Sequence, residues 1–175
     1  MSATNPPPAC WGRGTAREAG GGAAEALAQS ITALAEECGV ACRAVLSDMN
    51  TPMGRAAGNW LEVKEAVDCL EGRGPSDLET LTVSLAANLP GIDSGRAQAE
   101  LASGRPREKF TELLVAQNAD VDAFEQQLAE PAMAPVVREV TALHAGVVVR
   151  CDAQAIGELV RDLGGGRQTK ADTID

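Results

Sequence analysis

The stretch Leu46-Ser47-Asp48-Met49-Asn50-Thr51-Pro52-Met53-Gly54-Arg55-Ala56-Ala57-Gly58-Asn59-Trp60-Leu61-Glu62-Val63-Lys64-Glu65-Ala66 reads as strand, loop and helix in succession. The apolar run Ala44 to Leu46 predicts a strand that ends in a polar turn. Pro52, Gly54 and Gly58 then mark a loop, because neither residue type continues a strand or opens a helix interior. Asn59 is a good N-cap with Glu62 three residues on, a variant of the capping box. The helix it opens turns Trp60, Val63, Val67 and Leu70 toward a core, and Gly72-Arg73-Gly74-Pro75 stops it.

Upstream, Leu27, Ile31, Leu34 and Cys38 repeat at helical spacing, with Gly39 placed to end the helix. Val40 to Leu46 follows as a short strand, and helix followed by strand suggests an α/β unit. Downstream, Ser76-Asp77-Leu78-Glu79 reads as a second capping box, opening a helix with Leu78, Leu81, Leu85 and Leu89 on one face. Pro90-Gly91 ends it. Two further helices are expected at about 94–103 and 106–117, the second with Pro106 at its first position, where the missing N–H costs nothing. Residues 119–129 read as helix and 132–142 as a weaker one. Ala145 to Arg150 is the clearest strand pattern, and Asp152 caps a last helix with Ile156, Leu159, Val160 and Leu163 inward. Gly164-Gly165-Gly166 terminates it. The expected fold is therefore α/β: a helix-rich, partial α/β domain over residues 23–175, whose strands at 40–46 and 145–150 share one sheet. Residues 1–22, with three consecutive prolines and repeated glycines, read as a disordered N-terminus.

Composition narrows the function. The chain has 175 residues, 45% of them hydrophobic, yet only two Phe, two Trp and no Tyr, so any core is built from Ala, Leu and Val. A net charge of −10 disfavours nucleic acid and anionic membranes, which reward basic patches. No apolar run approaches the ~18–20 residues of a membrane span. Five cysteines, an odd number without paired spacing, read as reduced thiols in a cytoplasmic protein. Cys38 and Cys42 are not a C-x-x-C pair and His144 is the one histidine, which disfavours a structural zinc site and leaves His144 as a surface or turn residue. Gly20-Gly21-Gly22 has no preceding strand and no following Lys, so it does not read as a phosphate loop. Gly164-Gly165-Gly166-Arg167 follows a helix C-terminus, whose negative dipole end repels anions.

The opening stretch closely resembles the signature of the thymidine and pyrimidine-nucleoside phosphorylases, T-D-M-x-x-P-L-G-x-x-x-G-N-x-x-E-V-x-E-A. The likeness continues through Gly72-Arg73-Gly74-Pro75-Ser76-Asp77-Leu78, through Ser103-Gly104 to Lys109-Phe110 and Val115-Ala116-Gln117, and through Gly146-Val147-Val148 with Cys151-Asp152-Ala153. Ile156-Gly157, Leu163-Gly164-Gly165-Gly166-Arg167 and Asp172-Thr173-Ile174-Asp175 complete it, in order, from about residue 23 to 175. Ser47 replaces the family's Thr, Met53 its Leu, and Asn118-Ala119 a common Gly-Gly. The family's Lys-x-Ser motif, its Gly-rich phosphate loop and the Arg, Ser and Lys that grip the pyrimidine have no counterpart in residues 1–22. The chain thus looks like the central part of a phosphorylase.

What the resemblance implies is phosphorolysis of a pyrimidine (deoxy)nucleoside to free base and (deoxy)ribose 1-phosphate, by a homodimeric enzyme that needs no organic cofactor. It implies no catalytic or substrate-binding residue in this chain, which alone is expected to be inactive. The alternative is a noncatalytic α/β remnant with an interaction or structural role. A phosphoribosyltransferase would need a diphosphate-binding Gly-rich loop that is not found. One family site carries over: a monovalent cation, typically potassium, held by the carbonyls of Met53 and Ala56 and the carboxylate of Glu65. Read from the residues alone, Glu65 is a solvated helix carboxylate beside Glu62 and Asp68; the resemblance sets the two readings level.

Overall fold

The computed structural model describes residues 21–48, 50–131 and 136–166. Seven α-helices fill most of it: α1 (Gly21–Glu37), α2 (Asn59–Leu70), α3 (Ser76–Ala86), α4 (Ser94–Ala102), α5 (Arg105–Ala116), α6 (Val121–Ala129) and α7 (Ala153–Val160). A wide turn, Arg161–Gly165, extends α7 until Gly164 takes φ +97° and stops it, at the glycine run the sequence marked. α3 packs on α4, α4 on α5, and α5 on both α2 and α6.

Three helix starts follow the cap chemistry. Asp93, Asp120 and Asp152 each accept backbone N–H groups from the first turn of α4, α6 and α7. Two starts depart by one residue. α2 begins at Asn59 with Gly58 as its cap, so Asn59 makes no cap bond; Glu62 nevertheless reaches back to accept the Gly58 N–H at 3.0 Å, half of a capping box. α3 begins at Ser76 after an extended Pro75, with no side-chain cap bond. The expected Ser76 box is therefore not formed, and Asp77 is free for a longer-range partner. In α5, Pro106 falls second rather than first, still within the turn whose N–H groups have no helical acceptor.

The core is small. Val67 and Cys69 of α2 and Ala97 of α4 are buried, and Val67 is 1% exposed. Burial pushes the Cys69 thiol up, with Glu79 adding to the effect. Around this centre Trp60, Phe110 and Phe124 join α2, α5 and α6, with ring centroids 5.7 Å apart for Trp60–Phe124 and 5.9 Å for Phe110–Phe124. Such pairs contribute about 0.5–1.5 kcal/mol each beyond their area. Arg107 lies over Phe110 and pairs with Glu71 and Glu125, a charged clasp across the same three helices.

The expected strands are not formed. No residue of 21–48, 50–131 or 136–166 lies in a β-ladder, so the α/β expectation is corrected to a helix-rich fold among the described residues. The segments 40–46 and 145–150 have no strand partner there, and a strand exists only through its ladder. Apolar β-branched runs give the propensity; pairing has to come from elsewhere in space. Residues 136–142, expected as weak helix, are also irregular and exposed, while 132–135 lie outside the described residues. Leu27, Ile31 and Leu34 of α1, read as one stripe, are exposed, as are Leu159 and Leu163, both expected inward. Of the N-terminal stretch, residues 21 and 22 belong to α1 and 1–20 lie outside the described residues, as do Cys10, Arg167 and Asp172 to Asp175.

Candidate functional site

The loop 50–58 folds back onto the helices that follow it. Its main-chain N–H groups end on carboxylates: Gly54 donates to Asp77 Oδ2 of α3 at 2.9 Å, and Arg55 donates to Glu65 Oε1 of α2 at 2.8 Å. The Gly58 N–H on Glu62 completes a set of three. Three successive anchors from two helices fix a loop that has no ladder of its own. Asn50 ties the loop's entry to α7, its carbonyl accepting the Ala153 N–H at 2.9 Å.

Gly54 is required by this arrangement. Its φ is +73°, and a Cβ built on it would collide with the Glu65 carboxylate. A side chain would therefore meet both a left-handed backbone penalty and a carboxylate already in place. Gly54 is gripped between two helices, its N–H on Asp77 and its Cα against Glu65.

The hydrogen bonds from the loop leave a clear electrostatic trace. The Gly54 N–H, aided by the Leu78 N–H and the nearby Arg55 charge, holds the Asp77 carboxyl below the usual carboxylate range. Glu65 uses Oε1 for Arg55, while Oε2 faces Gly54 with no hydrogen-bond donor among the described residues. Met53 and Ala56, half-buried, flank the Gly54-Arg55 pair that touches Glu65. Glu65 is thus brought against the loop segment carrying the two expected carbonyls. Glu65 Oε2, without a donor there, is a hard carboxylate oxygen of the kind a hard cation takes as a ligand. No group of three or more His, Cys, Asp or Glu side chains gathers as a metal cluster among the described residues.

Four cations of the helical region have partners of their own. Lys64 extends to the C-terminal end of α6 and donates to the carbonyls of Leu128 and Glu130 at 2.6 and 2.8 Å. A positive charge there satisfies carbonyls at the negative end of the helix. Arg73 pairs with Asp68 and Glu71, Arg105 with Glu100, and Arg107 with Glu71 and Glu125. Burial works against the charge on Glu71, but hydrogen bonds from Arg73 and then Arg107 outweigh it and lower its pKa. His144 sits exposed in a bend.

Two functional partners escaped the sequence reading. By sequence Asp77 is only a residue inside the Ser76–Glu79 capping box, and its acceptor role spans 23 residues of sequence. Lys64 was one basic residue among several, and its partners lie 64 and 66 residues away. Neither separation leaves a periodic signal. The nearest available hint was the offset between Pro75 and Ser76, since an extended proline can itself serve as the residue before a helix.

No family model matches the chain. Curated relatives do. The pyrimidine-nucleoside phosphorylase of Bacillus subtilis (strain 168) is 37% identical over 158 residues, 85% of this chain and 36% of the relative. That of Staphylococcus haemolyticus (strain JCSC1435) is 37% identical over 164 residues, 87% of this chain and 37% of the relative. The Geobacillus stearothermophilus protein of the same name is 35% identical over 161 residues, again 87% of this chain and 37% of the relative. Among the described residues no helix is long and apolar enough to cross a membrane. The chain spans little more than a third of the relatives it matches, and over that span it is a homologue of the pyrimidine-nucleoside phosphorylases.

Proposed function

We propose that this chain supplies the cation-loop and helical scaffold of a pyrimidine-nucleoside phosphorylase, the reaction being phosphorolysis of a pyrimidine (deoxy)nucleoside to base and (deoxy)ribose 1-phosphate. The observation that carries the reading is the loop 50–58 folded back on Glu65, within a segment 37% identical to a phosphorylase of that name. In this reading the carbonyls of Met53 and Ala56 and the carboxylate of Glu65 hold potassium. A bound cation supplies charge compensation for Glu65 and fastens the loop to α2.

Phosphorolysis needs donors and cations around the attacking phosphate and the departing base, where negative charge sits and grows. The pairing of Arg105 and Arg107 with carboxylates of neighbouring helices, and of Lys64 with the carbonyls that end α6, commits these cations to holding helices together, while Arg73 closes the end of α2 on Asp68 and Glu71. The 175-residue chain by itself is therefore expected to release no free base from uridine or thymidine in the presence of phosphate. Turnover that copurifies with the chain would overturn this assignment.

The cation is tested separately, by thermal unfolding in potassium chloride against tetramethylammonium chloride of equal ionic strength. A ligand binding only the folded state at ten times its Kd stabilises it by about 1.4 kcal/mol. The account expects a higher Tm in potassium and the loss of that increment in Glu65→Gln. Identical melts in the two salts would remove the cation from the reading.

A further inference from the structure

We infer that Asp77, from α3, is the positioning residue of the cation loop: by accepting the Gly54 N–H it fixes the peptide plane whose other end is the Met53 carbonyl. The inference rests on the cation reading above and adds to it a residue that touches neither the proposed cation nor its three ligands through their oxygen atoms.

The geometry is that of a single peptide unit. No cis peptide bond occurs among the described residues, so the Met53 C=O and the Gly54 N–H are antiparallel across one rigid plane. Holding the N–H at 2.9 Å from Asp77 Oδ2 therefore sets the direction of the carbonyl, which points away from α3. The next peptide is held in the same way, Arg55 N–H on Glu65 Oε1 at 2.8 Å. Two consecutive planes are thus pinned from two different helices. Between them Gly54 is at φ +73°, a torsion from which an unpinned glycine is free to leave. Asp77 is itself held in place, because its Oδ1 accepts the Leu78 N–H at 3.0 Å at the start of α3. Groups that orient metal ligands from behind in this way typically change metal affinity by 10–100-fold when removed.

The test compares Asp77→Ala, Asp77→Ser and Asp77→Asn with the wild-type chain, in potassium chloride titrated against tetramethylammonium chloride at constant ionic strength. The readout is the half-saturating potassium concentration of the salt-specific rise in Tm, which a general loss of stability lowers in both salts alike and leaves unmoved. Alanine removes the acceptor, and serine keeps a polar first turn for α3 but is too short to reach Gly54. Both are expected to raise the half-saturating concentration about tenfold or more. Asparagine keeps an oxygen at the same reach without the charge, and is expected to stay within about threefold of wild type. Should the alanine chain fold poorly, the serine chain gives the same reading.

A full potassium response in Asp77→Ser overturns the inference. So does an asparagine variant as impaired as serine, since that would make the charge, not the hydrogen bond, the operative property. A wild-type chain without any potassium response overturns the cation reading together with this inference. The two failures are distinguished because only the second is seen without mutation.

Discussion

Val67 and Val149 carry the same side chain and sit at opposite extremes: 1% exposed within α2 and 97% exposed in the segment after α6. Val67 lies on α2, which packs on α5 a few dozen residues later, and α3 and α4 between them pack in sequence, so this region closes over short loops. Val149 belongs to a run of exposed residues, Val136, Val137, Val140, Leu143, Val147 and Val148 among them, with no ladder partner among the described residues. A helix satisfies its own backbone and needs only a face to bury; a strand needs a second strand before its side chains count. The comparison separates a self-sufficient helical region from one whose apolar character is unspent.

Substitutions probe that contrast in descending order. Val67→Ala should cost about 2 kcal/mol, from lost burial plus the cavity left behind, measured as a shift of the denaturation midpoint at unchanged m-value. A cost below about 0.5 kcal/mol would mean that the helical region is not packed as described. Gly54→Ala should cost about 1–2 kcal/mol, combining the left-handed torsion with displacement of the Glu65 carboxylate, and should lower the potassium increment in the same melt.

The charged clasp sets a smaller, pH-dependent effect. Glu71 is held below its ordinary pKa, so the stability it contributes is present above the unfolded value and is lost as pH falls through the folded one. Both groups facing it, Arg73 and Arg107, stay charged over that range, and Arg107 is shared with Glu125. Glu71→Gln should therefore flatten the fall of stability below about pH 4.3, by under about 1 kcal/mol because the pair is partly exposed. Equal acid dependence in the two chains would remove Glu71 from the clasp. Val149→Ser should change stability by less than about 0.5 kcal/mol, and a larger loss would show that the segment is packed after all.

How much of this was legible follows from the range of each interaction. Caps at Asp93, Asp120 and Asp152 act over two or three residues, and helices beginning at or beside them were readable from spacing alone. Gly164 was readable as a stop, since a run of glycine after an apolar face leaves few other backbone outcomes. The strands were over-read because valine runs encode propensity and not partnership. The same limit applies to α1: Leu27, Ile31 and Leu34 share a stripe, but periodicity says only that they lie together, not what covers them, and they are exposed. In the site, family likeness selected Met53, Ala56 and Glu65, and Glu65 does meet the loop. The two anchors on Asp77 and Glu65 come from loop N–H groups, which no side-chain pattern announces.

The central claim is that carboxylates of α2 and α3 clamp the loop 50–58, and residue-resolved amide hydrogen exchange on the intact chain tests it most directly. The amides of Gly54 and Arg55, bonded to Asp77 and Glu65, should exchange at least about tenfold more slowly than their intrinsic rates, while those of Val148 and Val149 exchange near theirs. Gly54 and Arg55 exchanging as fast as Val148 and Val149 would contradict the clamp, and with it the cation seat built on it.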